Sequence, residues 1–196
     1  GGDNIALGNA ALTALTTGDH NIAIGSSAGD ALVAGGKNIA IGFEALSTED
    51  GHGESVAIGY QALKTQNAGA SGLNVAVGYQ AGTAVTTGVK NVIVGASAGV
   101  ALAGGANNTA VGYEALSTED GHGNNTAIGY RALKTLNAGA DAYNIGIGSD
   151  AGLSFTTGIR NVIIGGIAGD ALTDADFNIG IGYQSLTTDT KGSKST

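Results

Sequence analysis

Three side chains able to bind a metal or move a proton, Glu49, Asp50 and His52, fall within four residues of one another. The stretch that holds them, EALSTEDGHG at 44–53, returns unchanged at 114–123 and brings Glu119, Asp120 and His122 with it. Two carboxylates and an imidazole could ligate Ca²⁺ or share acid and base roles. Their spacing matches neither an EF-hand loop nor a zinc pattern. A group that recurs because its surroundings are copied is expected to belong to those surroundings. The TEDGHG segments are therefore expected to be solvated turns, with no catalytic residue, metal or cofactor assigned. Asp50, His52, Asp120 and His122 keep a candidacy as surface-binding residues. His20 stands alone in another turn and reads as structural or simply exposed.

A second set of side chains is aromatic. Phe43, Tyr60, Tyr79, Tyr113, Tyr130 and Tyr183 each follow a glycine directly. Rings repeated along a chain can cover their neighbours, or they can offer a contact surface for sugars or proteins. Packing is the expected role, and Tyr60, Tyr79, Tyr113, Tyr130 and Tyr183 remain candidates for surface binding.

What positions both sets is a repeat. The motif Asn, aliphatic, small, aliphatic, Gly starts at Asn4, Asn21, Asn38, Ser55, Asn74, Asn91, Asn108, Asn125, Asn144, Asn161 and Asn178. Successive starts lie 17, 17, 17 and 19 residues apart, and this order recurs, which makes a 70-residue super-repeat. Such regularity predicts one solenoid domain over 1–196 with eleven coils and no linker. The next motif is due at Ser195, beside the last residue Thr196, so the chain reads as a segment of a longer fibre.

Counting the motif Asn as place one, places two and four carry strand formers. Place four is aliphatic in all eleven units, and place two in all but Thr109 and Thr126. Place five is always Gly, which predicts a bend. Place three is Ala, Gly or Ile and never polar. Alternation sets it opposite places two and four, so the strand is expected to be buried on both faces, places two and four in the coil interior and place three against another copy. Place nine is Leu or Gly, and where it is Gly, place twelve is large and apolar; the two are expected to fill one pocket. The motif Asn side chains are expected to form a ladder.

Bulk composition narrows the function. Gly accounts for 36 of 196 residues, Pro, Cys, Met and Trp are absent, and charged residues make up only 12%. A formal charge of −8 with 8 Lys and Arg argues against nucleic acid and against an anionic membrane surface. No apolar run reaches the roughly 20 residues of a membrane span, and GGDNIALGNA has no basic signal-peptide start. No GK[ST] follows any glycine cluster, so no phosphate loop is present.

The units NIAIG, SVAIG, NTAVG and NTAIGYRAL resemble the head repeats of trimeric autotransporter adhesins and, more closely, repeats of phage tail fibres and bacterial adhesive fibres. Adhesin head repeats are commonly shorter, so the turns here carry extra residues. The resemblance covers the whole chain. It implies an all-β, left-handed, trimeric parallel β-roll. It also implies an extracellular or virion-borne fibre whose partners are its own two copies and a host-surface glycan or protein receptor. Two alternatives are a monomeric solenoid that binds ice, an ion or a glycan, and a hexapeptide β-helix enzyme of the acyltransferase type. The sparse Thr pairs disfavour ice binding, and units of 17 and 19 residues do not fit a six-residue period.

Overall fold

The fold was obtained as a computed structural model, and the structure describes residues 1–195. Its regular elements are eleven three-residue strands. They are β1 (Ile5–Leu7), β2 (Ile22–Ile24), β3 (Ile39–Ile41), β4 (Val56–Ile58), β5 (Val75–Val77) and β6 (Val92–Val94), followed by β7 (Thr109–Val111), β8 (Thr126–Ile128), β9 (Ile145–Ile147), β10 (Val162–Ile164) and β11 (Ile179–Ile181). Each pairs in parallel with the next, and the sheet order equals the chain order. Place three always meets place three, as in Ala6 with Ala23 and Ile163 with Gly180. The protein is an all-β parallel β-solenoid. The two extra residues of the fourth and eighth coils leave this register intact, because their turns bulge outward at Gly69 and Gly139, where nothing lies within 4 Å.

One strand face differs from expectation. From β2 to β11 the place-three residue is buried, whereas places two and four are half-buried or exposed in every strand. Place three therefore points into the coil, and the branched aliphatic residues point out. The small size of place three answers to the narrow interior, not to a second copy. A Cβ on Gly146 would lie 2.6 Å from Leu133 Cγ of the preceding coil. Ile93 fits because Gly82 and Gly99 leave room, as a Cβ on Gly82 would sit 2.8 Å from its Cδ1. Ile163 likewise lies against Gly169. Volumes are traded between coils, as close packing demands.

The pocket shared by places nine and twelve is present. A Cβ on Gly29 would lie 2.9 Å from Leu32 Cδ1, and one on Gly152 would lie 2.6 Å from Phe155 Cδ2. Leu32, Val85, Leu102, Phe155 and Leu172 fill that space in the glycine coils, and Leu46, Leu63, Leu116 and Leu133 fill it in the others.

The motif Asn forms a ladder that does two jobs. Each Oδ1 accepts the backbone N–H of the next motif residue, as from Asn21 to Asn4 at 2.9 Å and from Asn91 to Asn74 at 2.8 Å. Nδ2 of every motif Asn but one reaches a carbonyl fourteen residues on, such as Gly35 from Asn21 at 2.8 Å, and so closes its own coil, whereas Asn125 donates back to Gly123 O at 3.2 Å. With both groups bonded, these amides can be fully buried. The place-five glycines take φ between 125° and 139°, a region closed to side chains, and at all but the last, Gly182, a Cβ would strike the next coil's glycine backbone.

Candidate functional site

In the acidic loops, Glu49 and Glu119 are fully buried, which corrects the expectation of an all-solvated turn. They occupy the polar twelfth place inside the coil, where place-nine Leu46 and Leu116 leave space beside them. Glu49 Oε1 accepts His52 N–H at 3.0 Å, and its Oε2 accepts Gln66 Nε2 at 3.2 Å and Ala68 N–H at 3.4 Å. Glu119 Oε1 accepts His122 N–H at 3.2 Å and lies 3.3 Å from His122 Nδ1, while its Oε2 accepts Ala138 N–H at 3.2 Å. The side chains of Asp50 and Asp120 are exposed, yet their backbone carbonyls accept N–H groups of the preceding coil at Val33 (2.7 Å) and Ala103 (2.6 Å). The loop thus ties neighbouring coils together. One ligand atom from each of Glu49, Asp50 and His52 lies within a 4.8 Å group, and the second copy repeats this. Their hydrogen bonds all belong to the scaffold.

The aromatic residues come together in columns. Phe43 stacks on Tyr60 at 5.3 Å between centroids, and Tyr60 on Tyr79 at 5.2 Å, with planes 15° and 10° apart. Tyr113 stacks on Tyr130 at 5.5 Å. The guanidinium of Arg131 lies 4.9 Å over the Tyr130 ring and donates to Asp150 Oδ1 at 2.8 Å, which raises the Arg131 pKa. Tyr183 is 72% exposed and stacks on no other ring among the described residues. The rings thus pack on one another along the columns, and the flat faces a sugar or protein would need are largely closed. Inside a column each ring covers its neighbour and leaves edges outward.

A polar column runs beside the rings at place seven. Gln61 Nε2 donates to Glu44 Oε2 at 2.8 Å, and Gln80 Nε2 donates to Gln61 Oε1 at 3.0 Å. Lys64 and Lys134 lie 2.6 Å from the carboxylates of Glu44 and Glu114 and hold both below the ordinary carboxylate value. The Glu114 carboxylate in turn raises the Tyr113 pKa by accepting from its hydroxyl. Both columns break in the sixth coil, where Ala96 and Ser97 stand at places six and seven. That gap was readable once the units were aligned by place, but a search for chemically active residues passes over two small ones.

The largest continuous feature is the outward strand face. Places two and four form two columns along all eleven strands, with no charged residue in either. Ile5, Leu7, Val92, Ile128, Ile179 and Ile181 are each more than a third exposed. The face is about 10 Å wide and roughly 50 Å long at the spacing of paired strands, a footprint of about 500 Å². No helix is long and apolar enough to cross a membrane among the described residues. Comparison with known protein families, with curated proteins and with solved structures finds no match to this chain.

Proposed function

We propose that the chain is a structural and adhesive segment of a fibre built from three copies, without enzymatic activity, displayed on a virion or cell surface. The observation that carries this reading is the apolar outer face of places two and four. A largely apolar strip of this extent, broken only by Thr109 and Thr126 at place two, marks an interaction surface. A straight strip with the 17- and 19-residue coils in register suits a partner of the same length and spacing, which a second copy of the chain supplies. The resemblance to trimeric fibre repeats sets the number at three. Copies held side by side present every surface residue three times, and linked weak contacts can exceed a single affinity by roughly 10² to 10⁴.

Light scattering on the soluble chain and on an Ile58→Lys, Val94→Lys variant tests this. Both substitutions lie on the outward face, so the variant should keep its β-sheet signal and melt cooperatively while falling to the mass of one chain. A variant that keeps the wild-type mass would place the interface elsewhere.

A further inference from the structure

We infer that the break in the sixth coil is a slot for one pyranose ring, and that it selects sugars whose ring substituents are all equatorial, as in β-linked glucose units. The inference rests on the adhesive reading and gives its receptor a chemistry. In the fifth coil stand Tyr79 and Gln80, in the seventh Tyr113 and Glu114, and between them only Ala96 and Ser97. Backbone rungs cross the gap without distortion: Ser97 N–H donates to Tyr79 O at 2.9 Å, and Glu114 N–H to Ala96 O at 3.1 Å. The walls are thus held two coil steps apart, about 10 Å. Within the columns the rings repeat at 5.2 to 5.5 Å, so one rung is missing, and a guest ring there meets a wall on each side at stacking distance.

The other breaks in the aromatic column lack this form. In the first two coils Asn9 and Ser26 have an aromatic neighbour only in Phe43, and in the ninth and tenth Ser149 has only Tyr130 and Gly166 only Tyr183. Of these breaks, only the sixth coil has an aromatic wall on both sides. Each of those two walls turns an unstacked ring face toward the slot, since Tyr60 covers the far face of Tyr79 and Tyr130 that of Tyr113.

The chemistry of the slot favours a sugar. An all-equatorial pyranose carries C–H bonds on both faces, which suit the negative faces of two aromatic rings, and its hydroxyls point outward in the ring plane. Beside the slot, Gln80 has its Nε2 committed to Gln61 and keeps Oε1 as an acceptor. Glu114 stands at the slot with its carboxylate held by Lys134 and the Tyr113 hydroxyl, and Ser97 adds a hydroxyl. An axial hydroxyl, such as the one at C4 of galactose, would press oxygen against a tyrosine face. A few placed polar groups on an apolar site fix orientation and give specificity.

The test is an NMR titration of the soluble wild-type chain with cellohexaose and, separately, with β-1,4-galactohexaose. Cellohexaose should shift the Tyr79 and Tyr113 ring signals saturably and leave Tyr183 unmoved, and the galactan should bind at least tenfold more weakly. Ala96→Tyr supplies the missing rung, so it should weaken cellohexaose at least tenfold without lowering the melting temperature, and Tyr113→Leu should weaken it similarly. Equal affinity for the two sugars, unchanged binding by Ala96→Tyr, or no cellohexaose binding overturns the inference. Binding of tyrosinamide in preference to cellohexaose would also overturn it, by assigning the slot to an aromatic side chain of a protein. Light scattering on the same samples keeps the two readings apart. Intact assembly with no sugar bound removes only the slot, whereas a monomer that binds cellohexaose removes only the fibre.

Discussion

The two faces of each strand are built from similar residues and do opposite work. Ala57 and Ile58 are neighbours, both apolar, yet Ala57 is fully buried in the coil while Ile58 faces out. On the inner face side-chain volume is set by the coil before and the coil after, so Ala, Gly and Ile exchange only where place nine compensates. On the outer face, size is less constrained within one chain, and the large branched residues there stay half-buried or exposed. Small apolar residues facing inward and large ones facing outward reverse the usual order of a globular core. The inversion makes sense if the outer face has its own partner.

The sharpest way to break this comparison is to place one charge on each face. Ala57→Lys buries an unpaired ammonium in a space that fits a methyl group, and it should cost about 4 kcal/mol or more and prevent folding, seen as loss of the circular dichroism sheet signal. Ile58→Lys, one residue on, should leave a folded chain. A folded Ala57→Lys variant would show that place three is not interior. Next in size is a pair in β6. Ile93→Ala opens a cavity against Gly82 and Gly99 and should destabilise by about 2 to 5 kcal/mol in urea. Val92→Ala, on the exposed side of the same strand, should change the stability of the separated chain by less than about 1 kcal/mol.

A smaller effect separates the two copies of EALSTEDGHG, which are identical in sequence but not in surroundings. Over the first copy, Ser55 replaces the motif Asn, and Gln66 fills the difference. Its Nε2 donates to Ser55 Oγ at 3.0 Å and to Glu49, and its Oε1 accepts from Asn74 Nδ2 at 2.8 Å. Over the second copy, Asn125 restores the ladder and Leu136 takes the place of Gln66. Gln66→Leu alone should cost about 1 to 3 kcal/mol by stripping Glu49 and Ser55 of a donor. Ser55→Asn with Gln66→Leu should regain a large part of that loss, and additive single effects in a double-mutant cycle would deny the coupling.

The smallest effect concerns pH. Glu44 and Glu114 are held below their ordinary value of 4.5 by Lys64 and Lys134. A depressed folded-state pKa contributes stability that is present above the unfolded value and is lost as pH falls through the folded one. Both pairs lie half-exposed at the surface, so the contribution is small and sensitive to salt. Melting temperature should decline slightly below pH 4.5, and Lys64→Met with Lys134→Met should flatten that part of the decline.

Much of the fold was legible because a solenoid repeats its constraints. Register, the glycine bend, the Asn ladder and the pocket shared by places nine and twelve all follow from aligning eleven units. The inward face was misassigned because alternation states which residues share a side without stating which side is inside. Ala and Gly at place three fit either a thin interior or a close neighbour, and only the approach of Gly146 to Leu133 decides. The burial of Glu49 was hidden for a related reason. A carboxylate among Thr, Asp and Gly reads as solvated until Gln66 and Ala68 of the next coil are seen donating to it. Backbone conformation was the least legible. Residues before each motif Asn, at place seven and at place nine adopt left-handed φ with side chains as unsuited as Ile167, at 58°, and no residue preference announces it.

A fibre of three copies requires that the outward face be covered by other copies of the chain. Sedimentation equilibrium of the unmodified protein over a wide concentration range measures this directly. A single species of three times the 18.9 kDa chain mass, persisting on dilution, is the predicted result. A chain that stays monomeric and soluble at every concentration would contradict it, because the apolar columns of places two and four would then face water without consequence.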